Sequence, residues 1–143
     1  MKISDVMTKS PMSCEPDTRI EEIARQMLTC DCGSLPVVDG MRVIGMITDR
    51  DIVVRAIAAG KCPLELLAKD VMSHPAAVLL EDGSLQEAFK VLQENQVRRA
   101  PVVDSMNRLV GIVSQADLAR AAATSETGEL VQTISQGMSL GHD

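Results

Sequence analysis

Pro36-Val37-Val38-Asp39 is followed by Val43-Ile44-Gly45-Met46-Ile47-Thr48-Asp49-Arg50-Asp51-Ile52, and both stretches return later in the chain. The copies read Pro101-Val102-Val103-Asp104 and Leu109-Val110-Gly111-Ile112-Val113-Ser114-Gln115-Ala116-Asp117-Leu118. The first block recurs 65 positions on and the second 66, so one residue has been added in the loop between Asp104 and Gly111. Asp5-Val6-Met7 also recurs 65 positions on, as Asp70-Val71-Met72. A period longer than the usual solenoid unit, present only twice, predicts two similar halves closing on each other with approximate two-fold symmetry. Symmetric halves create symmetric clefts, which are places to bind a ligand.

The element order follows from the same comparison. Residues 35–38 and 43–47 are short and rich in β-branched side chains, and Asp39-Gly40 between them is a hairpin turn. Residues 100–103 and 109–113 repeat them. Ile20, Ile23, Ala24, Met27 and Leu28 share one helical stripe, repeated by Leu85, Ala88, Phe89 and Leu92. Thr18 with Glu21 and Ser84 with Glu87 both have capping-box spacing, one residue out of register with each other. Second helices are expected over 49–59, before Gly60, and over 115 to about 123, with first strands at 12–14 and 77–80. The fold class is α/β (α+β): two β-α-β-β-α repeats related by pseudo-two-fold symmetry. Its parts are repeat one at 1–60, a linker at 61–69 with a helical turn after Pro63, repeat two at 70–123, and a tail at 124–143 that either docks as a short helix or stays mobile.

The second helices also speak to assembly. Ile52, Val53, Val54, Ala56, Ile57, Ala58 and Ala59 leave only Arg55 polar, more apolar surface than one buried face requires. The alanine-rich stretch 118–123 is similar. Burial on a second side is expected, against the other repeat or in an isologous homodimer.

Composition narrows the classes. At 143 residues, 45% hydrophobic and 24% charged, the chain fits a soluble globular domain. No stretch reaches the roughly 18 to 20 apolar residues of a membrane span, and the opening residues do not form a signal peptide, so a cytoplasmic protein without membrane attachment is expected. A net charge of -6 disfavours nucleic acid, whose binding draws on Lys and Arg. With no Trp, no Tyr and a single Phe, a nucleobase would have to lie between aliphatic side chains and backbone. Met7 and Met72, at matched positions among nine Met, read as structural.

The chemistry-bearing pattern is Gly, two apolar residues, Thr or Ser, two variable residues, Asp. It runs from Gly45 through Thr48 to Asp51 and from Gly111 through Ser114 to Asp117. Each copy ends a strand and opens a helix. The Gly permits close approach to the backbone, the hydroxyl and free amides suit an anion, and a carboxylate one turn on can accept two hydrogen bonds from a vicinal diol. Phosphate beside a diol describes a ribonucleotide. The same residues also fit ordinary helix caps contributing about 1 kcal/mol each.

This duplicated pattern, preceded by Ser34-Leu35-Pro36-Val37-Val38-Asp39 and Arg99-Ala100-Pro101-Val102-Val103-Asp104, resembles a tandem pair of CBS domains, the Bateman module, over residues 1 to about 123. The resemblance implies two repeats packed through their sheets, with clefts that in many members bind AMP, ADP, ATP, NAD or S-adenosylmethionine. By motif, Asp51 and Asp117 would hold ribose hydroxyls and Thr48 and Ser114 would meet phosphate. Apolar residues near Ile47, Val113, Met12 and Ala77 would flank the adenine.

The two sites differ in charge. Arg50 stands where the second motif has Ala116, and Arg98-Arg99 stand where the first repeat has Gly33-Ser34. Arginine grips phosphate in a bidentate fashion, so one site is expected to bind a charged nucleotide better than the other. Cys14, Cys30, Cys32 and Cys62 lack structural-zinc spacing, and in a reducing cytoplasm they are expected as free thiols. His74 and His142 have no recognisable nucleophile or base partner, so no enzyme and no obligatory cofactor is expected. The leading expectation is a regulatory, energy-sensing module that takes an adenosyl ligand and signals through an unidentified effector protein or through self-association. A ligand-free dimeric interaction module and a metal- or redox-responsive protein are the alternatives.

Overall fold

The computed structural model describes residues 1–124. Over these residues the chain forms two compact units, Met12–Ala76 and Met1–Pro11 together with 77–124. The segment leading into each repeat therefore belongs to the unit built around the other repeat.

In the unit Met12–Ala76, helix α1 (Ile20–Cys30) leads into the antiparallel hairpin of β2 (Ser34–Asp39) and β3 (Arg42–Thr48). Gly40 at φ +67 makes the turn that Asp39-Gly40 predicts. Cys14 forms a parallel bridge to Val37 on one side of this hairpin, and Ser73 an antiparallel bridge to Met46 on the other. Met12 to Cys14 thus contributes a single bridge rather than the expected strand. A short α2 (Asp49–Ile52) continues as a π-helical turn over Val53–Ile57, with Ala58 N bonded to Val53 O at 2.8 Å, and Gly60 at φ +76 ends it. Pro63–Glu65 makes the expected helical turn, a 3-10 turn, and α3 (Ala68–Val71) follows.

The other unit repeats this plan. Its sheet runs β1 (Thr8–Lys9), β6 (Leu109–Ser114), β5 (Arg99–Val103), β4 (Leu79–Leu80), with α4 (Leu85–Glu94) and α5 (Gln115–Ala123) completing it. Leu79 pairs in parallel with Val102 as Cys14 does with Val37, and Thr8 pairs antiparallel with Ile112 as Ser73 does with Met46. The added residue lies in the loop where Asp104 Oδ1 accepts the amides of Met106 and Arg108 and Oδ2 accepts Arg108 Nε at 2.7 Å. Together the two units carry the two repeats of the β-α-β-β-α plan, the first strand of repeat one being reduced to the Cys14 bridge.

Each unit has its own core. Ile20, Ile23 and Met27 of α1 pack with Leu35, Val37, Ile47, Ala56, Ala68 and Val71, whereas Leu85, Ala88, Phe89 and Leu92 of α4 pack with Ile3, Val102, Val113 and Leu118. Ala24 and Leu28, expected on the buried stripe of α1, are exposed instead, Leu28 at 83%. The cap at Thr18 is also absent: Arg19 holds the N-cap position, Ile20 N donates to Leu66 O at 3.0 Å, and Thr18 Oγ1 accepts from Glu15 N. Ser84 does cap α4, accepting from Glu87 N at 3.1 Å. The tail beyond Thr124, with His142, lies outside the described residues.

Candidate functional site

The alternation of β3 decides which residues a ligand could reach. Val43, Gly45 and Ile47 face the core, while Ile44, Met46 and Thr48 on the opposite face are half-buried. Ile47 and Val113 are each 0% exposed and offer no surface to a ligand, whereas their neighbours Met46 and Ile112 are half-buried. Met12 is exposed and Ala77 half-buried, each beginning the unit that holds its motif.

Gly45 and Gly111 do permit a close approach, but the approaching atoms are the chain's own. A Cβ on Gly45 would lie 2.7 Å from Ser73 O and 3.0 Å from Met72 Sδ. On Gly111 it would lie 2.8 Å from Met7 Cγ and 2.9 Å from Thr8 O. This joins the two repeated motifs: Asp5 and Asp70 accept the amides of Lys2 and Leu67 and start the short turns that carry Met7 and Met72 over the glycines.

At the end of β3, Asp51 N donates to Thr48 Oγ1 and Thr48 N donates to Asp51 Oδ2, both at 3.0 Å. Ser114 and Asp117 make the same reciprocal pair at 3.1 and 3.0 Å. Both are complete capping boxes. They do not exhaust the groups. A carboxylate offers about four lone-pair positions, and each hydroxyl keeps its proton to donate. Asp51 and Asp117 stay 14% and 16% exposed at the side chain, reachable and partly desolvated.

Arginines lie beside the remaining oxygens. Arg55 Nε lies 3.9 Å from Asp51 Oδ1, while its Nη1 donates to the carbonyls of Val71 at 3.2 Å and Met72 at 2.8 Å. Arg120 Nη2 pairs with Asp117 Oδ1. Sequence reading missed both; the cue was an arginine one turn after each Asp, at i+4 and i+3. Arg50 is exposed at the opening of α2, its amide held by Asp49 Oδ1 at 2.8 Å. Arg99 pairs in the ladder with Ser114, and Arg98 O accepts Gln115 N at 2.9 Å, so both arginines adjoin the second motif. In the first unit that bond is made by Gly33 O and Asp49 N, also at 2.9 Å.

The cysteines depart from expectation. Cys30 and Cys32 are joined in a disulfide across Asp31, which is left-handed at φ 52, with their Cα atoms 5.3 Å apart. Cys14 and Cys62 are free. Burial, with a smaller contribution from the charge of Glu22, pushes the Cys14 thiol up to about 12. Among the described residues no three His, Cys, Asp or Glu side chains gather to hold a metal ion, and no helix is long and apolar enough to cross a membrane.

The family model of the CBS domain matches residues 3–57 and 68–124. The chain is 36% identical over 137 residues to hypoxic response protein 1 of Mycobacterium tuberculosis, covering 95% of each. It is 34% identical to an uncharacterised protein of Methanopyrus kandleri, of whose length it spans 61%. The crystal structure of hypoxic response protein I with two coordinated zinc ions superposes with a TM-score of 0.77 at 37% identity, over 84% of this chain and 98% of that one. CBSX2 of Arabidopsis thaliana, solved in complex with AMP, gives 0.74 at 25% identity over 85% and 96%. The CBS domain pair of MJ0100, in complex with 5-methylthioadenosine and S-adenosyl-L-methionine, gives 0.76 at 26% over 86% and 96%.

Proposed function

This chain belongs to the CBS-domain family, and on that premise we propose that it is a regulatory module binding an adenine nucleotide or other adenosyl ligand at Thr48–Asp51, Ser114–Asp117, or both. The observation that carries the reading is the reciprocal hydroxyl–carboxylate pair, built the same way in both units, with both carboxylates partly exposed. The complexes of CBSX2 with AMP and of MJ0100 with adenosyl ligands support the ligand class.

In this reading Asp51 or Asp117 accepts the ribose hydroxyls, and the Thr48 or Ser114 hydroxyl donates to phosphate. Arg50 serves the phosphate in one unit, and Arg98 and Arg99 in the other. Met46 and Ile112, with Met12 and Ala77, provide the aliphatic contacts for the base. Gly45 and Gly111 contribute indirectly, by seating the segments that carry Met72 and Met7. The module is cytoplasmic and performs no catalysis. It signals through a homodimer or an effector protein, and the ligand must favour one conformation over another to do so.

Thermal unfolding against AMP, ADP, ATP, NAD, S-adenosylmethionine and a guanosine control tests the ligand class. At 100 times the dissociation constant a native-state ligand adds about 2.7 kcal/mol and raises the midpoint by roughly 5 to 10 °C. A selective adenosyl shift is expected; no shift across the panel rejects the reading.

That each motif closes a complete capping box favours one second reading, a dimeric interaction module whose Thr, Ser and Asp only cap helices. Replacing Thr48 and Asp51 then lowers stability and changes nothing else.

A further inference from the structure

We propose that Cys30 and Cys32 are a reversible dithiol–disulfide switch acting on the Thr48–Asp51 pair through Gly33. The coupling to a ligand rests on the nucleotide-binding reading; the redox pair and its effect on the local backbone do not.

The backbone prepares the pair. At the end of α1 the amides of Asp31 and Cys32 both donate to Met27 O, and Cys30 Sγ reaches the same oxygen at 3.8 Å. The second repeat makes the same turn: Gln96 is left-handed at φ 54, and Val97 N donates to Leu92 O at 3.0 Å. There the positions matching Cys30 and Cys32 are Asn95 and Val97, which cannot cross-link. The turn thus forms without a disulfide. The cysteines can open and close without refolding the unit, and the switch acts on one repeat only.

The route to the site is short. Gly33, next to Cys32, accepts Asp49 N at 2.9 Å, and a Cβ on Gly33 would lie 3.0 Å from Asp49 Oδ2. Ser34 pairs with Thr48 in the ladder. A cross-link fixing Cys32 therefore restrains the carbonyl that holds the first amide of α2, between Thr48 and Asp51. Both cysteines are half-buried against the core of their unit, so a change in their link reaches packed residues.

Oxidation needs a small-molecule disulfide as co-reactant. One cysteine thiolate attacks its sulfur and expels one small thiolate, giving a mixed disulfide. The second cysteine, having lost its proton to water, attacks the protein-bound sulfur and expels the other. Two electrons and two protons end on two small thiols, and reduction runs in reverse.

The test uses the full chain with Cys14→Ala and Cys62→Ala, equilibrated in glutathione buffers of graded ratio, alkylated, and weighed. A reversible loss of two alkylation sites together, abolished by Cys30→Ser, is expected; both cysteines remaining fully alkylated in oxidising buffer overturns the switch. Amide NMR then compares the two states. Shifts at Gly33, Thr48 and Asp49 are expected, and their absence overturns the transmission. AMP titration of both states should give affinities differing at least threefold; equal affinities overturn the coupling. If the amides shift but AMP binds neither state, the nucleotide reading fails and the redox switch stands.

Discussion

Met72 lies directly over Gly45, its Sδ 3.0 Å from where a Cβ would stand, with Ser73 O at 2.7 Å. Met7 takes the same place over Gly111. Since Met7 belongs to the segment leading into repeat one and Gly111 to repeat two, these contacts tie each leading segment to the other repeat's sheet. Adding a methyl forces backbone as well as sulfur to move, and overpacking of this kind costs about 1–3 kcal/mol. Gly45→Ala and Gly111→Ala are therefore each expected to lower the urea midpoint. An unchanged midpoint in both would show that the approach is not tight.

The Cys14 thiol gives a pH dependence. Its native value of about 12 stands above an ordinary 9.0, so the folded chain keeps a proton that the unfolded chain gives up. The resulting stability is present in full below pH 9 and is lost as pH rises from there toward 12, by at most about 1.4 kcal/mol per pH unit. Denaturation at graded alkaline pH should show this slope in the native sequence and a shallower one in Cys14→Ala; equal slopes would contradict the assignment.

Much of this was legible beforehand. The duplicated hairpins, the buried stripe of α4 and the boxes at Thr48 and Ser114 are local patterns whose partners lie within a few residues. What escaped reading depended on distant partners. Thr18 has the right spacing for a cap, yet Leu66 already supplies the acceptor for Ile20 N. Leu28 follows the helical period, but among the described residues no element covers it. The burial of Ile47 was within reach, because it shares a strand face with Val43 and Gly45 while Thr48 shares the other with Ile44 and Met46. The exchange that puts Met7 on Gly111 leaves no trace in spacing, since Met7 precedes Gly45 much as Met72 precedes Gly111, the two spacings differing by one residue. The left-handed Asp31 between the two linked cysteines is not announced by composition either.

The arginines should separate the two sites. Replacing Arg98 and Arg99 together with Ala is expected to weaken nucleotide binding at the Ser114–Asp117 site at least severalfold, and Arg50→Ala to do so at Thr48–Asp51. Calorimetric titration reads both; unchanged affinity in either variant would remove that arginine from phosphate recognition.

Val53, Val54 and Ile57 are 54%, 46% and 58% exposed on the continuation of α2, an apolar surface suited to a second copy of the chain. Sedimentation equilibrium is expected to show a homodimer that Val53→Asp with Ile57→Asp converts to monomer. A native chain that remains monomeric at tens of micromolar would contradict this.

The most direct test is calorimetric titration of AMP into the native chain and into Asp51→Ala with Asp117→Ala, with folding of each checked by denaturation. Saturable binding to the native chain is expected, with a dissociation constant in the micromolar to millimolar range, about -8 to -4 kcal/mol, and that binding is lost in a variant that remains folded. Binding that survives removal of both carboxylates would contradict their role as the ribose-holding groups.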